Sequence, residues 1–204
     1  MGTEVVQVDP AAPAPAALGR AADVLRAGGL VAFPTETFYG LGAAALDGAA
    51  VAEVFVVKGR PASKPVLVLV DSVEMVERLA EVSDRARRLM ARHWPGALTL
   101  VVTARGELPP QLTGGTGTVG VRLSPHPVAR GLVRAFGGPV TAPSANTSGA
   151  PPPTTAGDVL RAFRGSVALV LDGGSTPGGQ PSTVIDLSVD PPHVIRQGAV
   201  RVDL

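Results

Sequence analysis

The stretch K-G-R-P-A-S-K-P-V-L-V-L-V, residues 58–70, decides how the rest of the chain is read. Its first eight residues carry the cations Lys58, Arg60 and Lys64 among Gly59, Pro61 and Pro65, in a protein that is only 17% charged. The five that follow are apolar, the pattern of a strand buried on both faces. Upstream, Val51, Val54, Phe55 and Lys58 recur at helical spacing behind Asp47, a good helix N-cap. A helix, a rigid basic turn and a buried strand in that order point to an α/β protein. Cations at the edge of a buried strand suit the holding of anionic oxygens. At a helix C-terminus they also complement the dipole, and charge runs are often plain surface.

The same alternation extends in both directions. Residues 1–17 read as a strand at Glu4–Val8 and a connector interrupted by Pro10, Pro13 and Pro15. A helix over Leu18–Ala27 stops at Gly28-Gly29, and a buried strand at Leu30–Phe33 runs into P-T-E-T-F-Y-G-L-G. Beyond Val70 the pattern predicts helices over 71–79, 83–93, 127–136 and 155–163, and strands at 98–103, 118–123, 140–142, 167–171, 182–187 and 193–196. Residues 104–117 read as a Gly/Pro/Thr loop. Several connections are too short for a helical crossover, so the sheet is expected to be mixed rather than purely parallel. We expect a single domain over residues 18–204, preceded by the strand and connector of 1–17.

Composition narrows the function classes. With 18 Lys plus Arg against 17 Asp plus Glu, the net charge is +1, which gives no global field for a large nucleic acid. There is no cysteine, so thiolate metal sites and cysteine nucleophiles are excluded. No apolar run reaches the ~18–20 residues of a membrane helix, and the N-terminus has no leader pattern, so the chain reads as cytoplasmic.

No Walker-type G-x-x-x-x-G-K-[ST] is present. Gly40-x-Gly42-x-x-Ala45 imitates a dinucleotide turn, but it lies too far from its strand and lacks a following acid. His93, His126 and His193 are scattered, and P-S-A-N around Ser144 is not a nucleophile elbow. What remains is a set of hydroxyl and amide residues in rigid Pro/Gly settings at strand ends: Thr35, Thr37, Ser144, Asn146, Ser182 and Thr183. Arg60, Lys64, Arg122 and Arg196 supply cations at similar positions. Such a set binds phosphates and carboxylates, and would catalyse by positioning and charge neutralisation.

In order along the chain stand F-P-T-E-T-F-Y-G-L-G (33–42), K-G-R-P-A-S-K-P (58–65), W-P-G-A-L-T-L (94–100), V-R-L-S-P-H-P (121–127), P-S-A-N-T-S-G (143–149), P-S-T-V-I-D-L (181–187) and I-R-Q-G-A (195–199). Together they resemble the YrdC/Sua5 family, the threonylcarbamoyl-AMP synthases. The resemblance implies a single open twisted sheet flanked by helices, with a concave basic groove. It implies that L-threonine, bicarbonate and ATP give threonylcarbamoyl-AMP and pyrophosphate, the first step of tRNA N6-threonylcarbamoyladenosine-37 formation. Mg²⁺ would ride on the triphosphate, and the product would pass to a separate tRNA threonylcarbamoyl transferase complex, with at most weak RNA contact here.

By motif, Thr37, Arg122, Ala142 and Ser182 fall at the family's threonine-contacting positions. Arg60, Lys64, Thr118, Ser144, Pro152 and Arg196 fall at its ATP-contacting ones. Lys58 and Asn146 complete the K-x-R and S-x-N pairs, and with Arg60 and Ser144 are the expected catalytic set. Many members have Asn at position 64 and His at position 69, where this chain has Lys64 and Leu69. The chain ends at Leu204, so the resemblance implies the short form of the family. Two other readings stand beside the synthase: a carbamoyltransferase making a carbamoyl-adenylate from carbamoyl phosphate, and a double-stranded-RNA binding module using the same groove.

Overall fold

A computed structural model describes residues 2–61, 64–106, 108–163 and 165–203. Ala62 and Ser63 of the basic segment and Glu107 of the 104–117 loop lie outside them. The elements alternate throughout: β1 (Glu4–Gln7), α1 (Pro15–Arg26), β2 (Val31–Pro34), β3 (Tyr39–Gly42), α2 (Gly48–Lys58), β4 (Val68–Leu69), α3 (Val73–Leu79), α4 (Asp84–His93), β5 (Leu98–Thr103), α5 (Pro110–Thr113), β6 (Thr118–Arg122), α6 (Pro127–Phe136), β7 (Val140–Thr141), α7 (Ala156–Phe163), β8 (Leu169–Asp172), β9 (Thr183–Asp186) and β10 (His193–Arg196). Among the described residues no helix is long and apolar enough to cross a membrane.

The mixed α/β architecture is as expected, but its strands form two hydrogen-bonded ladders. One has the order β1-β8-β2-β3, the other β10-β9-β5-β6-β4-β7. They meet where β3 approaches β7, through the bridges Gly40–Ser144 and Ala44–Val140. Pro139 and Pro143 flank this short β7, and a proline cannot donate to a ladder, so continuous pairing stops there. Thr141 fastens the seam instead: its Oγ1 accepts from Ala43 N at 2.8 Å and donates to Leu41 O at 3.0 Å.

In the four-stranded ladder β2, β3 and β8 are buried on both faces, and the period of two divides their side chains between two cores. Val31, Phe33, Leu169 and Leu171 point into one, with Leu25 of α1 and Leu132 of α6. Ala32, Tyr39, Leu41 and Val170 point into the other, with Val54 of α2 and Val159 of α7. In β3 this alternation explains the glycines read above as an imitation of a phosphate turn. A Cβ on Gly42 would stand 2.9 Å from both Phe33 Cε1 and Val140 Cγ1, so the strand is Tyr-Gly-Leu-Gly because one face has no room.

In the six-stranded ladder one face is core and the other is not. Leu98, Leu100 and Val102 of β5, Val119 and Val121 of β6 and Ile185 of β9 enter the core. The alternate positions, Thr99, Val101, Thr118, Gly120, Arg122 and Val184, line a cavity. The same alternation that buries this sheet on one side therefore floors a site on the other.

Some boundaries differ from expectation. Helix α1 begins at Pro15 rather than Leu18, because a proline at the first helical position forfeits no hydrogen bond. The expected division at 17/18 thus falls inside a helix, and β1 pairs in parallel with β8. The apolar run 66–70 contributes only Val68–Leu69 to the ladder, although Val66 and Val70 are also buried.

Candidate functional site

A cavity of about 470 Å³ opens over the floor just described, within the range of small-molecule sites. Its walls come from both ladders: the β2–β3 turn, the segment between α2 and β4, the loop after β7, and the ends of β9 and β10.

The β2–β3 turn is held by its own hydroxyls. Thr35 Oγ1 donates to Phe38 O at 2.7 Å and accepts from Thr37 N at 3.2 Å. This fixes Thr37 at the cavity edge and turns Glu36 toward β6. Glu36 Oε1 accepts from Arg122 Nη1 at 2.9 Å, with side-chain exposures of 15% and 5%. Ser124 Oγ donates to the other carboxylate oxygen, and is itself held by His126 N at 3.2 Å. Burial pulls the Arg122 guanidinium down from its ordinary value, and the Glu36 charge opposes that shift. Arg122 Nε is buried and has no hydrogen-bond partner among the described residues.

Arg196, at the end of β10, donates from Nη2 to Ser182 O at 2.8 Å and to Ser182 Oγ at 3.2 Å. Ser182 Oγ also lies 3.0 Å from Thr99 Oγ1, so strand end, floor and hydroxyl are fixed together. The Arg196 pKa is lowered by burial first and then by the like charge of Arg122. On the opposite wall Arg60 folds back on its own loop, donating from Nη2 to Pro65 O at 3.0 Å, and burial lowers its pKa as well. Neither Arg60, Lys64 nor Arg196 has a carboxylate partner among the described residues, in contrast to Arg122.

The cavity brings together Thr37, Arg122, Ala142 and Ser182, and with them Arg60, Lys64, Thr118, Ser144, Pro152 and Arg196. Lys58 and Asn146 are different. Lys58 is 3% exposed and its ammonium is spent on two carbonyls, Ser144 O at 2.5 Å and Asn146 O at 2.6 Å. Asn146 Nδ2 donates to Thr147 O and Ala150 O, both at 2.8 Å. Neither Lys58 nor Asn146 is among the described residues that line the cavity. The ammonium orders the loop that presents Ser144. Burial first, and Arg60 second, push its pKa down to about 8.

Sequence reasoning missed Glu36. The available signal was a single acid between two hydroxyl residues in a proline-led turn, in a chain whose buried β6 carries a lone arginine. Among the described residues the lining holds neither an acid nor an imidazole. Such a surface neutralises and orients anions.

Known proteins resemble this chain in sequence and in fold. The family model Sua5/YciO/YrdC, described as telomere recombination, matches residues 23–198. A threonylcarbamoyl-AMP synthase of Pyrococcus abyssi is 47% identical over 184 residues, covering 90% of this chain and 54% of that protein. One of Bacillus subtilis is 42% identical over 185 residues, again covering 90% and 54%. The chain therefore spans about half the length of these relatives. The crystal structure of P. abyssi Sua5 complexed with L-threonine superposes with a TM-score of 0.92 at 45% identity, covering 96% of this chain and 58% of that one. With the model matched across all but the terminal segments, the chain belongs to the Sua5/YciO/YrdC family.

Proposed function

We propose that the protein is an L-threonylcarbamoyladenylate synthase, converting L-threonine, bicarbonate and ATP into threonylcarbamoyl-AMP, pyrophosphate and water, the water leaving as the threonine amine and bicarbonate join to give N-carboxy-threonine. The observation that carries this reading is the Arg122 guanidinium. Glu36 occupies Nη1, and Nε is buried without a partner, a state that costs roughly 1–3 kcal/mol. A carboxylate set against the Nε–Nη2 edge relieves it through a two-point fork. Ser182 and Thr37, which line the same cavity, would take the remaining polar groups of the amino acid, with Ala142 contributing backbone.

The nucleotide would then lie along the Arg60–Lys64 wall, with its phosphates toward these cations and reaching Arg196, and with Thr118, Ser144 and Pro152 around it. In the reaction, a carboxylate oxygen of N-carboxy-threonine attacks the α-phosphorus, and the bond from that phosphorus to the pyrophosphate oxygen breaks. The nucleophile is already an anion, so no base is needed in the lining. The protein's task is to neutralise charge on the leaving pyrophosphate. Mg²⁺ would arrive on the triphosphate. The adenylate would pass to a separate tRNA threonylcarbamoyl transferase.

Pyrophosphate release is the test. It should require ATP, L-threonine and bicarbonate together, and release that ignores threonine, or that carbamoyl phosphate supports equally well, would overturn the reading.

A further inference from the structure

Four cations line the cavity or its floor, and among the described residues one of them, Arg122, has a carboxylate beside it. From this asymmetry we infer that Glu36 is a positioning and specificity-determining residue, which reserves the Arg122 end of the cavity for a monocarboxylate and excludes phosphates from it. The inference rests on the proposed synthase reading and deepens it.

A substrate pair of one amino acid and one nucleoside triphosphate poses a sorting problem. Both ligands are anionic and both enter the same cavity. A bare Arg122 would attract the more highly charged ligand more strongly, since the Coulomb term grows with ligand charge. Glu36 removes that preference in two ways. Its carboxylate, 2.9 Å from Nη1, cancels most of the guanidinium's field and repels a polyanion approaching the same spot. It also fixes the plane of the guanidinium, so the unspent edge accepts two coplanar oxygens, the shape of a carboxylate. Among the described residues Arg60, Lys64 and Arg196 have no carboxylate beside them: Arg60 bonds backbone carbonyls of its own loop, and Arg196 bonds Ser182 O and Oγ while feeling the charge of Arg122. The cavity is thus polarised between Arg122, whose charge is neutralised and directional, and the Arg60–Lys64 wall, whose charge is uncompensated, with Arg196 bonded to Ser182.

Glu36 is equipped for this. It stands in the β2–β3 turn braced by Thr35 and Thr37, and Ser124 Oγ occupies its second oxygen. His126 has its pKa lowered by burial against the pull of Glu36, and Arg196 lies close enough to Arg122 to feel its charge.

The experiment measures equilibrium binding of L-threonine and of pyrophosphate, separately, to the wild-type chain and to Glu36→Gln and Glu36→Asp. Gln keeps the shape and an acceptor for Nη1 while removing the charge. We expect Glu36→Gln to bind pyrophosphate at least tenfold more tightly, to lower the threonine-to-pyrophosphate affinity ratio at least tenfold, and to make pyrophosphate compete with threonine. Glu36→Asp, which keeps the charge, should return the ratio to within about threefold of wild type. Loss of a merely structural contact would loosen both ligands and would tighten neither. Unchanged or jointly weakened binding in Glu36→Gln, with threonine still bound by wild type, overturns the role of Glu36 and leaves the synthase reading standing. Tightened pyrophosphate binding in a chain that never binds threonine does the reverse.

Discussion

The Lys58 ammonium reaches 86 residues along the chain to donate to the Ser144 carbonyl at 2.5 Å. One hydrogen bond thereby joins the end of α2 to the loop that follows β7, and these carry Arg60 and Ser144 on facing walls of the cavity. Replacing Lys58 by Met should leave two carbonyls without their donor, lower stability by about 1–3 kcal/mol and weaken ATP binding. The pH dependence is a sharper signature. The amine titrates at about 8 when folded against 10.5 ordinarily, so between those values the unfolded chain binds more protons. Stability contributed by this group rises with pH through that window, and below it the burial penalty applies in full. Urea unfolding at about pH 7 and about pH 9.5 should show wild type gaining on the Met variant, and a constant difference would mean that the amine titrates normally.

Arg60→Ala should reduce the rate of pyrophosphate release by roughly 100-fold to 1,000-fold, about 2.7–4 kcal/mol, the scale for one preorganised electrostatic donor. Arg60 also donates to Pro65 O, so thermal unfolding should be followed in parallel. A fall of under about tenfold in a folded variant would remove Arg60 from the phosphate contacts.

Arg122→Lys keeps the charge and loses the two-point edge. The expected result is a fall in kcat/KM for L-threonine of ten-fold to a hundred-fold or more, about 1.5–3 kcal/mol for hydrogen bonds to a charged group, with KM for ATP little changed. Equal damage to both substrates would show that the guanidinium shapes the cavity without reading the amino acid.

Thr141→Val removes the hydroxyl that serves both Ala43 N and Leu41 O at 0% exposure, while keeping the volume. Two buried backbone groups lose their partner, which should cost about 2–4 kcal/mol, near the sum of two unsatisfied groups. Equilibrium denaturation should register that loss, and a change below about 0.5 kcal/mol would show that water or a backbone shift replaces the hydroxyl.

Where the chain carries its own punctuation, the fold was legible. Helix α6 begins at Pro127 and ends before Gly137, which adopts a left-handed φ of 80°, and both signals stand in the sequence. In α7 the Thr155–Asp158 pair caps reciprocally, as its spacing implies. β3 escaped because glycine weighs against a strand, and only the presence of Phe33 and Val140 across the sheet explains Gly42. The four-residue α5 was hidden in a Gly/Pro/Thr loop, since no hydrophobic period can show in a single turn.

The residue types of the site were legible too, because cations and hydroxyls at strand ends have few other uses in such numbers. Direction was not. Lys58 and Arg60 are two residues apart across a helix terminus, and only the left-handed Gly59 between them decides that one turns into the protein and the other into the cavity. Glu36 was passed over for the same reason: its partner lies 86 residues away, on a different ladder.

That Glu36 and Arg122 belong to different ladders has a thermodynamic consequence. Under the cavity the two ladders are joined by isolated bridges, the Thr141 hydroxyl and this ion pair, rather than by continuous strand pairing. An amino acid held between Thr37 and Arg122 would span the joint, whereas Ser144 and Arg196, which follow β7 and end β10, both stand on the six-stranded ladder. On the proposed reading the amino acid would bear the entropy of stiffening that joint, so loosening the joint would weaken amino-acid binding more than nucleotide binding.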